Sequence, residues 1–303
     1  MSVYNEKDTW LKDAIESILE QTWKEFEFII ILDNPNNIEA IKILNYYNEK
    51  DSRIRLYIND SNLGLVKSLN KALKLCTGDL IARMDADDYS DPERIEKQVK
   101  FLNENLNISL CATGVIIMDE SGKEMYKAKI YGKTPKKAKK SLIYRNIFPH
   151  GSWMFRKNII DNIGLYNEIP KAEDYDFLFR IIDKGNDVAV IPEYLFKYRL
   201  RESGISYDNL FKQKIVMLKI VEKFKQSKKL KCEYKFDNLI CNIDLQKNNY
   251  LIYQNLYIEG IQKVRNKDIL AGSIKIAKSV INCKYKRKEV IAIIALKYIN
   301  LLP

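Results

Sequence analysis

Residues 26–32 read FEFIIIL and are followed directly by Asp33. The run from Phe26 to Leu32 lacks the in–out alternation of a strand with one face in water. It suits a parallel strand covered by helices on both faces. Working outward, the chain alternates in type. Upstream, Trp10, Leu11, Ala14, Ile15, Ile18 and Leu19 recur at helical spacing between Asp8 and Gln21, and Ser2–Tyr4 reads as the end of a strand. Downstream, Ile38–Tyr47 reads as a helix and Ile54–Ile58 as a strand. Leu65–Leu75 reads as a helix with Leu65, Leu69, Ala72 and Leu73 inward, and Leu80–Met84 as another buried strand. Asp91-Pro92 predicts an N-cap and a first helical position, opening a helix through Asn103. Repeated β-α-β units of this kind predict an α/β fold with a mostly parallel, doubly wound sheet, whose ligands sit beyond the carboxyl ends of the strands.

The second half reads differently. Ile108–Met118 leads through Ser121-Gly122 into Met125–Tyr131, a predicted hairpin. A basic helix (Pro135–Tyr144), a helix from Glu173 to Lys184, and short strands at Val188–Ile191 and Tyr194–Leu200 follow. Beyond Tyr207 the pattern is helical and lysine-rich, which divides the chain into residues 1–207 and a basic, helical region at 208–303. Of the 51 Lys and Arg residues, 20 lie in 208–303, with only 8 of the 40 Asp and Glu, so that region carries +12 of a total of +11. An anionic membrane surface or nucleic acid is the partner such charge favours, against the plainer reading of a solvated helical surface. No stretch approaches the ~18–20 apolar residues of a membrane span, and no apolar segment precedes a small-residue cleavage site. The five cysteines are scattered and never spaced as C-x-x-C, which argues for reduced thiols and a cytoplasmic protein.

Acidic residues stand where this topology places its ligands. Asp33 ends the second strand, Asp60 and Asn62 follow the third, and Asp85-Ala86-Asp87-Asp88 follows the fourth. Carboxylates at consecutive strand ends concentrate negative charge that a cation or hydrogen-bond donors must stabilise. A divalent metal held by one or two carboxylates and completed by phosphate oxygens fits that need. A solvated turn is the bland alternative for Asp85–Asp88. An EF-hand fits poorly, because its sixth position would be Ser90 and a strand precedes it. A second acidic segment, Ala172-Glu173-Asp174-Tyr175-Asp176, opens an apolar helix. Helix-dipole capping accounts for one or two of those acids, not for the pairing with Asp85–Asp88.

Seven segments in order, MSVYNE, the LDN ending the second strand, NLGLVKSLNKAL, GDLIARMDADD, HGSWMFRK, AEDYDFLFR and YRLRESGIS, resemble family 2 of the glycosyltransferases. Those are inverting enzymes of the GT-A fold, of the kind that build bacterial surface polysaccharides. The resemblance covers about residues 1–207. It implies transfer of a sugar from a nucleotide diphosphate donor, a UDP-sugar first among them, to a glycan or lipid-linked acceptor hydroxyl. It places Tyr4, Glu6 and Asp33 around the donor nucleobase and ribose, and makes Asp85 and Asp87 a DxD pair. Asp87 would be the direct ligand of Mn²⁺ or Mg²⁺, with Asp85 and Asp88 supporting. Asp174 matches the general base and Glu173 its orienting or acceptor-binding neighbour. His150, the one histidine, falls in a loop beside acceptor and diphosphate. Arg199 and Ser206 match diphosphate contacts, and such an enzyme could work peripherally at the inner face of the cell membrane.

The chain departs from the family in three places. Arg201 stands where the family usually has His, Asp33 is followed by Asn-Pro-Asn-Asn, and the first strand starts at Met1 without the usual apolar lead, so it is unusually short or Met1 is an internal start. Two rival readings fit less well. An aspartate-based phosphatase would need Thr or Val where Tyr89 stands. A nucleotide- or nucleic-acid-binding protein without transferase activity would use the C-terminal lysines with Tyr234, Tyr250, Tyr253 and Tyr257, but has no need of two acidic motifs.

Overall fold

A computed structural model of the protein describes residues 1–169, 171–201, 207–236 and 244–301, without the side chains at 207–210, 244–249, 251 and 301. The first part alternates as β1 (Ser2–Val3), α1 (Asp8–Leu19), β2 (Phe28–Leu32), α2 (Ile38–Lys50), β3 (Ile54–Ile58), α3 (Leu65–Leu75) and β4 (Leu80–Ala82). Next come β5 (Tyr89–Ser90), α4 (Arg94–Glu104), β6 (Ile108–Met118), β7 (Glu124–Lys127), α5 (Pro135–Leu142) and β8 (Met154–Arg156). The chain continues through α6 (Ile159–Ile163), α7 (Glu173–Asp183) and β9 (Asp187–Arg199) to α8 (Tyr207–Leu230), α9 (Asp244–Arg265), α10 (Ile269–Asn282) and α11 (Lys284–Leu301).

The apolar run that opened the reading is the middle strand of a parallel sheet ordered β1-β2-β3, and every residue of β2 is buried. A second sheet is ordered β4-β8-β6-β9-β5 with β7 paired to β6. It is mixed: β6 and β9 run parallel, while β8 is antiparallel to both of its neighbours. A single bridge, Ser2 to Asp85, joins the two sheets where the acidic turn begins. Below it β2 and β4 are separated by a cavity of about 350 Å³ lined by Met1, Phe28, Ile29, Leu80 and Ile81.

Three local expectations change. Helix α4 begins at Arg94, because Asp91 first closes a turn, its carbonyl accepting from Arg94 N at 3.0 Å and its carboxylate from Glu93 N at 3.0 Å. Leu65 faces solvent at 44% exposure, and Ser68 takes the inward position at the start of α3. The two short strands after α7 are one, β9. Thr113 pairs with Ile191 but Gly114 pairs with Tyr194, so Pro192-Glu193 bulges out of the ladder. Gly114 permits the bulge, since a Cβ there would stand 2.8 Å from the Glu193 carbonyl oxygen.

The largest core packs α7 between the second sheet and α8. Phe179 of α7 meets Phe224 of α8 with ring centres 4.6 Å apart, and Tyr166 stacks on Phe177 at 4.5 Å. Asp176 is buried in this core and fully engaged, accepting from Tyr234 Oη, Asn167 Nδ2 and Arg180 Nε at 2.8–2.9 Å. It therefore fastens α7 to the chain beyond α8, an arrangement that charge-assisted hydrogen bonds make strong.

Candidate active site

The crevice lies at the carboxyl ends of β1, β2 and β4, with α7 opposite. After β1, Tyr4 N donates to Glu6 Oε2 at 2.8 Å, folding the strand end into a turn. After β2, Asp33 is buried and both its oxygens are taken. Oδ1 accepts from Asn59 Nδ2 at 2.7 Å and Leu63 N at 2.9 Å, and Oδ2 from Gly64 N at 2.8 Å. Asp33 thus shapes the 59–64 loop, and Gly64, at φ +86°, supplies the left-handed backbone the loop requires.

After β4 the three aspartates have different surroundings. Asp85 forms an ion pair with the buried Arg83. Gly151 borders it closely: a Cβ there would lie 2.8 Å from Asp85 Oδ2 and 2.5 Å from the Phe196 ring. Asp87 accepts from Arg201 Nε at 2.5 Å, and burial followed by the Asp85 charge raises its pKa against the pull of Arg201. Asp88 is fully buried; Oδ1 accepts from Arg199 N at 2.8 Å, while Oδ2 has no partner. Burial, then the Asp85 and Asp87 charges, push Asp88 well above the usual carboxylate range.

Across the crevice, Glu173 and Asp174 start α7. Asp174 accepts from Asn146 Nδ2 at 2.7 Å and from Tyr175 N at 2.7 Å. Burial, then the Glu173 charge, raise its pKa to about 7, and burial raises Glu173 as well. His150 makes a 3.0 Å hydrogen bond through Nε2 with Tyr166 Oη and lies edge-on to Trp153 at 4.6 Å. Burial, then the Arg83 charge, hold its pKa well below the usual imidazole range, so the ring is neutral. Arg83 acts on Asp85, Asp88, His150, Glu173 and Asp174 alike, and is the cation at the centre of the crevice.

One sequence expectation meets a different geometry. Each guanidinium nitrogen of Arg199 already has a protein partner: Nε the Asp87 carbonyl at 2.7 Å, the others Glu120 O at 3.2 Å and Asp13 Oδ2 at 3.0 Å. Arg199 clamps the acidic turn from behind instead of presenting a free fork to a diphosphate. Ser206 lies outside the described residues. Arg83, Asn146 and Tyr166 were not singled out from sequence. Arg83 alone had a signal, a charge between the apolar residues of a buried strand end.

For a divalent cation, the donor set is oxygen-only: Asp85, Asp87 and Asp88, with the orphaned Asp88 Oδ2 behind them. Among the described residues no group of three or more His, Cys, Asp or Glu is gathered into a ready-made metal cluster. The oxygen-only set suits a hard cation that takes one or two carboxylates and completes its shell with phosphates and water.

The family model for glycosyl transferase family 2 matches residues 1–164. An uncharacterized glycosyltransferase of Methanocaldococcus jannaschii is 38% identical over 215 residues, spanning 71% of this chain and 74% of its own. The O-antigen biosynthesis glycosyltransferase WbnJ of Escherichia coli is 33% identical over 65% of this chain and 77% of its own. Among solved structures, the mannosyltransferase PcManGT of Pyrobaculum calidifontis, in complex with GDP-Man and Mn²⁺, superposes with a TM-score of 0.58 over 99% of this chain and 86% of its own. At 14% identity that likeness concerns the fold, the GT-A type of α/β architecture.

Proposed function

The chain belongs to glycosyl transferase family 2 and is a glycosyltransferase, and on that premise we propose that it transfers a sugar with inversion from a nucleotide diphosphate donor to an acceptor hydroxyl. The observation that carries this reading is Asp174, a carboxyl with its pKa raised to about 7, facing the Asp85–Asp88 turn across Arg83. A general base works best when its pKa lies near the working pH. Asp174 would take the acceptor proton as that oxygen attacks the anomeric carbon. The new C–O bond forms as the bond to the diphosphate breaks, and the electron pair leaves with the diphosphate.

Asn146 would orient Asp174, and the Glu173 charge, which raises the Asp174 pKa, would strengthen it as a proton acceptor. Asp87 and Asp85 would hold Mn²⁺ or Mg²⁺, with Asp88 behind, and the bound ion would supply Lewis-acid stabilisation of the leaving diphosphate. Tyr4 and Glu6 lie where a donor nucleoside would sit, and Asp33 would act on it through the 59–64 loop. His150, being neutral, suits a hydrogen bond to acceptor or diphosphate rather than charge. Arg201, not Arg199, has a guanidinium turned into the crevice. With polysaccharide-building relatives such as WbnJ, a glycan or lipid-linked acceptor at the inner face of the cell membrane is the substrate we favour, with residues 1–207 as the catalytic domain. The rival reading, nucleic-acid binding without transfer, gains no support from the family.

A panel of UDP-, GDP- and TDP-sugars tests this. One donor should raise the melting temperature only with Mn²⁺ or Mg²⁺, since ligand binding to the native state stabilises it. Asp87→Ala should abolish both transfer and that metal-dependent shift. Turnover retained in chelator would remove the metal from the reading, and no stabilisation by any donor would remove the donor class.

A further inference from the structure

Helices α9 and α10 form a hairpin crossing at Gly260 and Gly272, so closely that a Cβ on Gly272 would stand 2.7 Å from the Gly260 carbonyl oxygen. That crossing fixes which side of α10 is inward. Its inner row is Gly272, Ile276 and Ser279, the last donating to Tyr253 O at 2.7 Å. Its outer row, at the i, i+4, i+11 spacing of one helix face, is Leu270, Ile274 and Ile281, exposed by 76, 58 and 64%. Helix α11 repeats the arrangement. Leu296 is buried, and Asn300 is held by Ser141 of α5 and by Gly132 N. The opposite row is Arg287, Ile291, Ile294 and Tyr298, apolar and outward after its first member.

The two outer rows meet at one corner. Arg287, which opens the α11 row, donates to the carbonyls of Val280 and Ile281, where the α10 row ends. Exposed lysines, Lys278, Lys284 and Lys297, flank the rows. Soluble surfaces rarely align large aliphatic side chains on two adjoining helices, and such patches mark interaction sites. The geometry points to an anionic lipid surface as the partner of this face, with α10 and α11 lying in the headgroup region.

Three observations favour that partner. The outer rows are aliphatic with basic flanks, the composition of interfacial helices. Helices α10 and α11 carry seven Lys and Arg against one acid, Glu289, so two copies of this face would repel each other, while anionic headgroups would attract it. Nucleic acid would be met by phosphate-binding and stacking side chains, yet the centre of the face is isoleucine. Among the described residues no helix is long and apolar enough to cross a membrane, so the contact is peripheral. The lipid-linked acceptor proposed above gives the contact a purpose, but the contact itself requires no transfer.

The test is co-sedimentation of the full chain with phosphatidylcholine vesicles and with vesicles that also contain phosphatidylglycerol. Binding should need the anionic lipid and weaken with salt. Ile274→Ser with Ile294→Ser should lower vesicle partitioning at least about tenfold, with the melting temperature and metal-dependent donor stabilisation unchanged. Lys278→Gln with Lys284→Gln should lower it on anionic vesicles alone. Equal recovery on neutral and anionic vesicles, indifference to the isoleucine changes, or concentration-dependent dimers lost in the Ile274→Ser variant would overturn the proposal; the last would assign the face to a second copy. Loss of transfer with vesicle binding intact would count against the proposed reaction and leave the surface standing.

Discussion

Arg201 donates from Nε to the Asp87 carboxylate at 2.5 Å and reaches Glu6 with a terminal nitrogen at 3.4 Å, its guanidinium lying over the Trp10 ring. The carboxylate proposed to hold a divalent ion therefore has a cation of this chain against it. Arginine forms a planar fork that suits phosphate as well as carboxylate. Were Asp87 to hold the ion, its arrival and the departure of Arg201 would be coupled, and a diphosphate would offer the guanidinium a new partner. Arg201→Gln should bind Mn²⁺ roughly tenfold more tightly without donor, because the competing charge is gone, yet bind donor more weakly with metal. Titration followed by the EPR signal of free Mn²⁺ measures the first effect. An unchanged Mn²⁺ affinity would show that Arg201 and the metal do not share Asp87.

The proposed base has a pH signature. With its pKa near 7, Asp174 is protonated and inert in mildly acidic solution, so kcat/KM should rise with pH and level off above about 7. Asp174→Asn should lower turnover by roughly 10²–10⁴ and abolish that rise, with donor binding unaltered. A profile flat from pH 5.5 to 8 would exclude Asp174 as the base.

The same group should cost stability. Its pKa is about 7 folded against 3.8 for the free side chain, so the folded state holds the extra proton. Native stability from this group is intact below about 4, falls as pH rises through that window, and is lost above about 7. Asp174→Asn removes the loss, so at pH 8 the variant should be more stable than the parent by roughly 1–3 kcal/mol. The gain should vanish near pH 4. Parallel thermal melts at the two pH values check it.

Gly151 keeps a place for Asp85. Gly151→Ala puts a methyl 2.5 Å from the Phe196 ring and 2.8 Å from Asp85 Oδ2, neither of which is a free flexible tip. The overpacking should lower stability by about 1–3 kcal/mol and weaken metal-dependent donor binding by displacing Asp85. Wild-type donor affinity in this variant would mean Asp85 has room to move.

Tyr234 lies beyond α8, yet its hydroxyl donates to the buried Asp176 at 2.9 Å. Tyr234→Phe leaves that carboxylate short of a donor, at a cost of about 1.5–3 kcal/mol, read by urea denaturation. If instead stability held, the contact would be dispensable to the fold.

Sequence alone reached the elements whose burial pattern is local. β3 and α3 have the limits their apolar spacing predicts, and β2 is the covered parallel strand that FEFIIIL implied. The acidic turn after β4 and the acids opening α7 were legible for the same reason, since a motif stays beside its own strand or helix. The tertiary structure decided what each side chain has for a partner. Asp33 reads as a ligand residue, but Asn59, Leu63 and Gly64 take its oxygens. Arg199 reads as a free fork, but Asp13, Asp87 and Glu120 surround it, the first of them 186 residues away. Arg83 drew no notice, and it is the charge against which Asp85, His150 and Asp174 are set. Hydrogen bonds and buried charge act through space, over contacts that no local spacing encodes. The residue types were in the sequence, while their roles depended on what the fold placed within about 3 Å of each polar atom.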